Sequence, residues 1–268
     1  MPSDFLDVSG RRIETAWWGP PPTAAPTLVL LHEGLGCIEL WRDVPALLAE
    51  ATGCGVFAYA RLGYGQSDPK PLPWPLSYMQ DEARDVVPRI LDAADIRDAI
   101  LLGHSDGGSI AAVYAGEARD PRLRALIMIA AHFFVEEQNI ASIRQIREEY
   151  AQGELRGRLA KYHRDPDMAF HGWCDSWLHP DFRAFDITAS LPGIAVPTLA
   201  LQGADDPYGS AAQLRVLQQN VRAPLQTLLI PAARHAPHLE AKRPTLDAIA
   251  QFVASTMARW RRPQCPTA

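Results

Sequence analysis

The chain has 268 residues, 47% of them hydrophobic and 21% charged, enough to bury a large core in one domain that carries an insertion. Its net charge of −5 gives no support to nucleic-acid binding. No apolar run reaches transmembrane length, and Met1-Pro2-Ser3-Asp4-Phe5 lacks the basic-then-apolar pattern of a secretion signal, so no membrane partner and a cytoplasmic location are expected. Cys37, Cys54, Cys174 and Cys265 are scattered without metal or redox spacing and are expected as free thiols.

In chain order, residues 5 to 18 around the turn Val8-Ser9-Gly10-Arg11 suggest a hairpin, followed by a proline-rich connector from Pro20 to Pro26. Strands are then predicted near 27–32, 55–60, 98–103, 123–131, 196–202 and 225–230, with helices near 40–52, 77–94, 107–119, 209–220 and 242–260. Strands separated by helix-length segments need crossovers, which predicts an α/β fold: a mostly parallel twisted sheet flanked by helices. The alternation breaks over 133–192, where no strand is evident and helix-forming runs such as Ile140 to Leu159 dominate. That is too long for a structureless loop, so residues 1–132 and 193–268 are expected to form the core and 133–192 a helical cap. No internal repeat is found, and the tail after Trp260 is expected to fray.

Gly103-His104-Ser105-Asp106-Gly107 is a G-x-S-x-G pentapeptide behind the apolar run Ala99-Ile100-Leu101-Leu102 and ahead of a helix-forming stretch. A strand turning abruptly into a helix strains the middle residue and holds its hydroxyl above the sheet, which makes Ser105 the candidate nucleophile. A serine hydroxyl also needs a histidine to take its proton and an acid to hold that histidine. Downstream, Gly203-Ala204-Asp205-Asp206-Pro207 follows one apolar strand, and Arg234-His235-Ala236-Pro237-His238 follows the next, which supplies acid and base in the order Ser, Asp, His.

With Leu30-Leu31-His32-Glu33-Gly34-Leu35-Gly36 and Tyr59-Ala60-Arg61-Leu62-Gly63-Tyr64-Gly65-Gln66-Ser67-Asp68 in the expected places, the chain resembles the α/β-hydrolase superfamily over nearly its full length. The resemblance implies Asp206 as acid over Asp205, three residues after the strand-ending glycine. It implies His235 as base, with His238 as second choice because Arg234 replaces the family's glycine. It implies an oxyanion hole from the backbone N–H groups of Asp106 and Gly34, with Leu35 as the fallback if the loop is one residue longer. Glu33 stands where the family usually has glycine, which puts a carboxylate near the site, either biasing against anionic substrates or binding the loop backbone. The interval 133–192 then corresponds to a lid, and His132, Phe133, Trp173 and Trp177 join Glu33 as pocket candidates, although plain packing explains any single aromatic as well.

His32, His104 and His132 sit beside apolar strands and are expected as satisfied structural histidines. His235, His238 and Glu240 do not have the spacing of a zinc helix, and Pro237 interrupts them, so neither metal nor cofactor is expected. The expected function is a serine hydrolase that cleaves a small ester, lactone or thioester through an acyl-enzyme, on a substrate with an apolar or aromatic portion. The same scaffold also resembles carbon–carbon bond hydrolases and cofactor-free histidine-base enzymes, and small-molecule receptors with slow or no turnover. A homo-oligomer stays open.

Overall fold

The computed structural model describes residues 4–260; the expected fraying after Trp260, and Cys265, lie outside the described residues. Strands β1 (Asp4–Val8) and β2 (Arg11–Trp18) form the predicted hairpin, and β3 (Thr27–Leu31) opens the parallel part of the sheet. Helix α1 (Val44–Thr52) leads to β4 (Gly55–Tyr59). A second crossover, α2 (Tyr78–Asp81), a π-helical turn (Glu82–Val86) and α3 (Val87–Ala93), leads to β5 (Ala99–His104). Then come α4 (Asp106–Glu117) and β6 (Leu123–Ile129).

Between β6 and the next strand lie α5 (Glu137–Ala151), α6 (Glu154–Leu159), α7 (Pro166–Leu178) and two short 3-10 turns, Pro180–Ala184 and Thr188–Gly193. The chain closes with β7 (Thr198–Gly203), α8 (Ala212–Asn220), β8 (Leu225–Ile230), α9 (Pro237–Glu240) and α10 (Lys242–Trp260). The eight strands are ordered β1-β2-β4-β3-β5-β6-β7-β8, antiparallel at the β1-β2 and β2-β4 pairs and parallel elsewhere. Every residue of β3, β4, β5 and β7 is buried, as helices on both faces require, and these strands therefore lack polar alternation. At the edge of the sheet, β8 exposes Leu228 and Leu229.

Helix α4 runs through the middle of the molecule, with Asp106 to Ala115 all buried. Small residues let it lie against the sheet: a Cβ on Gly107 would stand 2.0 Å from the Leu31 carbonyl oxygen. Because this helix starts where β5 ends, the residue between them is held at the carboxyl edge of the parallel strands. The loops after β3, β6, β7 and β8 reach the same edge, where open α/β sheets place their sites.

Residues 133–192 contain three helices and no strand, apart from one bridge between Phe134 and Asp186. They are tied to the rest of the molecule by half-buried and buried groups. Glu136, ahead of α5, accepts hydrogen bonds from the Ser210 N–H (3.0 Å), the Ser210 hydroxyl (2.6 Å) and the Gln213 amide (2.8 Å). Ser142 donates to the Pro207 carbonyl (2.8 Å). On the other side, His163 accepts from the Gly65 N–H (3.0 Å) through Nδ1 and donates from Nε2 to the Leu35 carbonyl (3.1 Å). Exposed ion pairs such as Arg183–Glu137 add little to this, since surface pairs are worth about 0–1 kcal/mol.

Candidate active site

Ser105 occupies the turn between β5 and α4 at φ 53° and ψ −119°, a left-handed conformation that a side chain adopts only at a cost of roughly 1–3 kcal/mol. The turn is held from both sides: the Ser105 N–H donates to the Ile129 carbonyl (2.8 Å), and its own carbonyl accepts from Gly108 (2.8 Å) and Ser109 (3.0 Å). His235 Nε2 lies 2.9 Å from Ser105 Oγ.

On the far side of the imidazole, His235 Nδ1 is 2.9 Å from Asp206 Oδ2 and 3.0 Å from Oδ1. The Asp206 carboxylate also accepts from the Gln202 amide (2.5 Å) and the Tyr208 N–H (2.8 Å). Burial opposes its ionisation, but the hydrogen bond and charge of His235 outweigh burial and hold the Asp206 carboxyl below the usual range. With the carboxylate ionised, Nδ1 carries a proton and donates it, leaving Nε2 free to accept from the Ser105 hydroxyl.

The structure therefore brings Ser105, His235 and Asp206 together. Asp205 is exposed and only its backbone N–H is engaged, with Ala233. His238 is buried behind the row, packed at 4.6 Å between ring centroids on His104 and 5.2 Å on Trp41. Burial, followed by the charge of His104, holds His238 neutral well below its ordinary value.

A cleft of about 110 Å³ opens above Ser105, lined by Glu33, Gly34, Leu35, Ser105, Asp106, His132, Asn139, Ile143, Trp173, Trp177, Tyr208 and His235. Larger recesses of about 490 Å³ between α1 and α10, about 400 Å³ beside Arg156 and Arg164, and about 280 Å³ beside Trp74, His171 and His179 are lined by none of Ser105, Asp206 and His235. Gly34 and Asp106 both line the cleft, and the Gly34 N–H has no acceptor among the described residues. The loop that presents Gly34 is clamped at the preceding carbonyls. Arg61 donates to the carbonyl of His32 and, at 3.0 Å, to that of Glu33. His32 donates from Nδ1 to the Glu33 carbonyl (2.7 Å) and accepts the Arg61 N–H on Nε2 (3.0 Å).

Of the pocket candidates, Glu33, His132, Trp173 and Trp177 line the cleft and Phe133 does not. Phe133 points into the core beside Met128, Leu201, Leu214 and Leu217, with its backbone N–H on Gln213 Oε1 (2.8 Å). The reason is direction: successive side chains leaving an extended segment alternate sides, so His132 and Phe133 cannot both face the cleft. His132 stacks 5.8 Å from His235, and burial pushes its imidazole down to about 3.

Trp177 donates from Nε1 toward the Tyr78 hydroxyl (3.1 Å) and Asp106 Oδ1 (3.3 Å), while Tyr78 donates to Asp106 Oδ2 (2.5 Å). This ties α7, α2 and α4 together beneath the cleft. Asn139, Ile143 and Tyr208 complete the wall without having been singled out in the sequence. The i, i+4 spacing of Asn139 and Ile143 on one face of α5 is the signal that was available. Tyr208 had only its place two residues after Asp206.

The α/β hydrolase fold family model matches residues 26–183, and the chain belongs to that family. Among curated proteins, it is 25% identical over 189 residues to serine hydrolase BPHL of Mus musculus, covering 66% of this chain and 62% of that protein. It is 26% identical over 227 residues to a non-heme chloroperoxidase of Streptomyces lividans, covering 73% and 80% of the two. Among solved structures, a carboxylesterase of Nitrososphaera gargenis superposes with a TM-score of 0.75 at 18% identity over 96% of this chain and all of that one (100%). At that identity the likeness is one of fold. The protein has the fold of this family, the chain spans under two thirds of the length of that first relative, and among the described residues no helix is long and apolar enough to cross a membrane.

Proposed function

We propose that the protein is a serine hydrolase acting on a small carboxylic ester, lactone or thioester through an acyl-enzyme. The observation that carries this is the continuous row of hydrogen bonds from Asp206 through His235 to Ser105, at 2.9 Å on both sides of the imidazole. Its Ser105 end opens into the cleft.

In this reading His235 takes the proton of Ser105 as Oγ attacks the carbonyl carbon, and ionised Asp206 stabilises the resulting imidazolium. Negative charge grows on the carbonyl oxygen and is met by the N–H groups of Gly34 and Asp106, the latter at the first position of α4, where helix N–H groups lack intrahelical acceptors. His235 then gives the proton to the leaving group, and water repeats the sequence on the acyl-enzyme. The helices of 133–192 act as a cap, with Trp173 and Trp177 supplying the apolar wall that excludes water and favours an aromatic or apolar group. The small cleft supports a compact substrate over a long acyl chain.

The test is intact mass after incubation with a fluorophosphonate, followed by assay on short-chain, aromatic and lactone esters. One adduct on the wild type and none on Ser105→Ala or His235→Ala is the expected result. An unlabelled, folded wild type would turn the assignment toward chemistry in which His235 acts as base without an acyl-enzyme.

A further inference from the structure

His104 immediately precedes the candidate nucleophile and plays no part in the row just described, yet it is 3% exposed and engaged at both ring nitrogens. Its Nε2 is 2.9 Å from the backbone carbonyl of His235, and its Nδ1 is 3.3 Å from Glu33 Oε2. A carbonyl and a carboxylate only accept, so both contacts are satisfied only when both ring nitrogens carry hydrogen. We propose that Glu33 and a doubly protonated His104 form an ion pair that positions His235 through its carbonyl and fixes it relative to Gly34. This rests on the reading of His235 as the base.

The placement is specific. Glu33 is the neighbour of Gly34 and His104 of Ser105, so the pair joins the loop after β3 to the β5–α4 turn, and the His235 carbonyl joins both to the loop after β8. The carboxylate reaches His104 by folding over Gly36, where a Cβ would stand 2.4 Å from Glu33 Oε2. A side chain at 36 would push Glu33 away.

The groups facing His104 that favour the charged form are Glu33, the His235 carbonyl and, more remotely, Asp206. His238 and His235 lie at 4.6 and 5.1 Å between ring centroids, and Trp41 at 6.3 Å. Cationic His132 or His238 would oppose the pair, and both are held neutral by burial. Burial of His104 itself opposes protonation, but the hydrogen bond and charge of Glu33 overcome it; the same partnership holds Glu33 ionised against its own burial. The departure from glycine at position 33 thus has a use in the site.

The experiment is histidine ring ¹⁵N NMR on ¹⁵N-histidine-labelled protein at about pH 7.5, with His104 assigned by the signal lost in His104→Gln. Two protonated ring nitrogens on His104 are expected in the wild type and one in Glu33→Gln. The Glu33→Gln enzyme is further expected to lose roughly tenfold or more in kcat and in the rate of fluorophosphonate labelling, with a smaller change in KM. The alkaline limb of its kcat profile should move to lower pH. A single ring proton on His104 in a wild type that labels would overturn the ion pair while leaving the function proposed above intact. Loss of the second proton in Glu33→Gln with unchanged kcat would overturn the positioning role. Should Glu33→Gln not fold, the wild-type spectrum and the alkaline limb of the wild-type profile, absent from His104→Gln, decide the matter. Both ring protons present in a wild type that takes up no probe would support the ion pair and overturn the acyl-enzyme proposed above, leaving His235 as a base.

Discussion

Ser105, Asp206 and His235 are separated by 101 and 29 positions in the chain, and each is held by its own local device. The positive φ of Ser105 comes from a turn pinned on both faces, so the hydroxyl needs no other group to direct it. Asp206 is directed by Gln202 and the Tyr208 N–H, and His235 by Asp206 in front and the His104 contact behind. Replacing Asp206 with Asn keeps the shape but presents an amide N–H or a neutral oxygen to Nδ1. Asp206→Asn is therefore expected to lower kcat by about 10⁴, and Asp205→Asn to leave it within about twofold, since surface changes away from such networks are small. Ester turnover by the two purified variants checks this, and equal losses would show that the loop does not hold Asp206 as described.

Among the elements, α4 decides the geometry of the site, because its first residues carry Asp106 and its far end fixes its tilt. There, Gly116 crosses the 3-10 turn Thr188–Gly193 with no room between the backbones: a Cβ on Gly116 would stand 2.1 Å from the Ser190 carbonyl, and one on Gly193 2.0 Å from the Gly116 carbonyl. On propensity alone Gly116→Ala would stabilise the helix by about 1 kcal/mol. The obstacle here is backbone and cannot rotate aside. The substitution is expected to destabilise by about 1–3 kcal/mol, read as a lower denaturant midpoint at unchanged slope. An increase in midpoint would mean that this crossing is looser than its distances imply.

At the scale of the whole molecule, four buried histidines are kept neutral by burial: His32, His132, His163 and His238. The unfolded chain would bind protons at these residues near pH 6.5 while the folded one does not. Below that value the unfolded state therefore holds more protons, and stability rises with pH. Each contributes a slope of about 1.4 kcal/mol per pH unit down to its folded value. For His32 the cost is visible: a second ring proton would face the Arg61 N–H that Nε2 now accepts. His104 runs the other way: its folded value is raised, so its contribution is complete below about pH 6.5 and is lost as pH climbs through the folded value. Four against one predicts a steep fall in stability on acidification from about pH 7 to about pH 5, measurable by urea unfolding across that range. A flat profile would show that these histidines titrate normally in the folded protein.

Much of the fold was legible in the sequence because its signals are local. Buried parallel strands must be apolar runs, crossovers must be helix-length, and a strand-to-helix turn around Ser105 needs small neighbours, so the sheet, the interruption at 133–192 and the elbow could be read along the chain. The resemblance to a known family put Asp206 ahead of Asp205 and His235 ahead of His238. What separates the members of each pair in space is where a few tenths of a nanometre of loop backbone point adjacent side chains, which the residues alone do not encode. The same holds for Phe133, turned into the core while its neighbour His132 faces the cleft, and for Tyr208, brought to the wall by the path of the loop. Glu33 and His104 are 71 positions apart and were visible only as an oddity in one motif and a filler in another. The chain by itself determined which chemistry was available at the carboxyl edge of the sheet. Tertiary structure alone decided which groups meet there and in what state of charge, because burial and pairing are properties of neighbours in space.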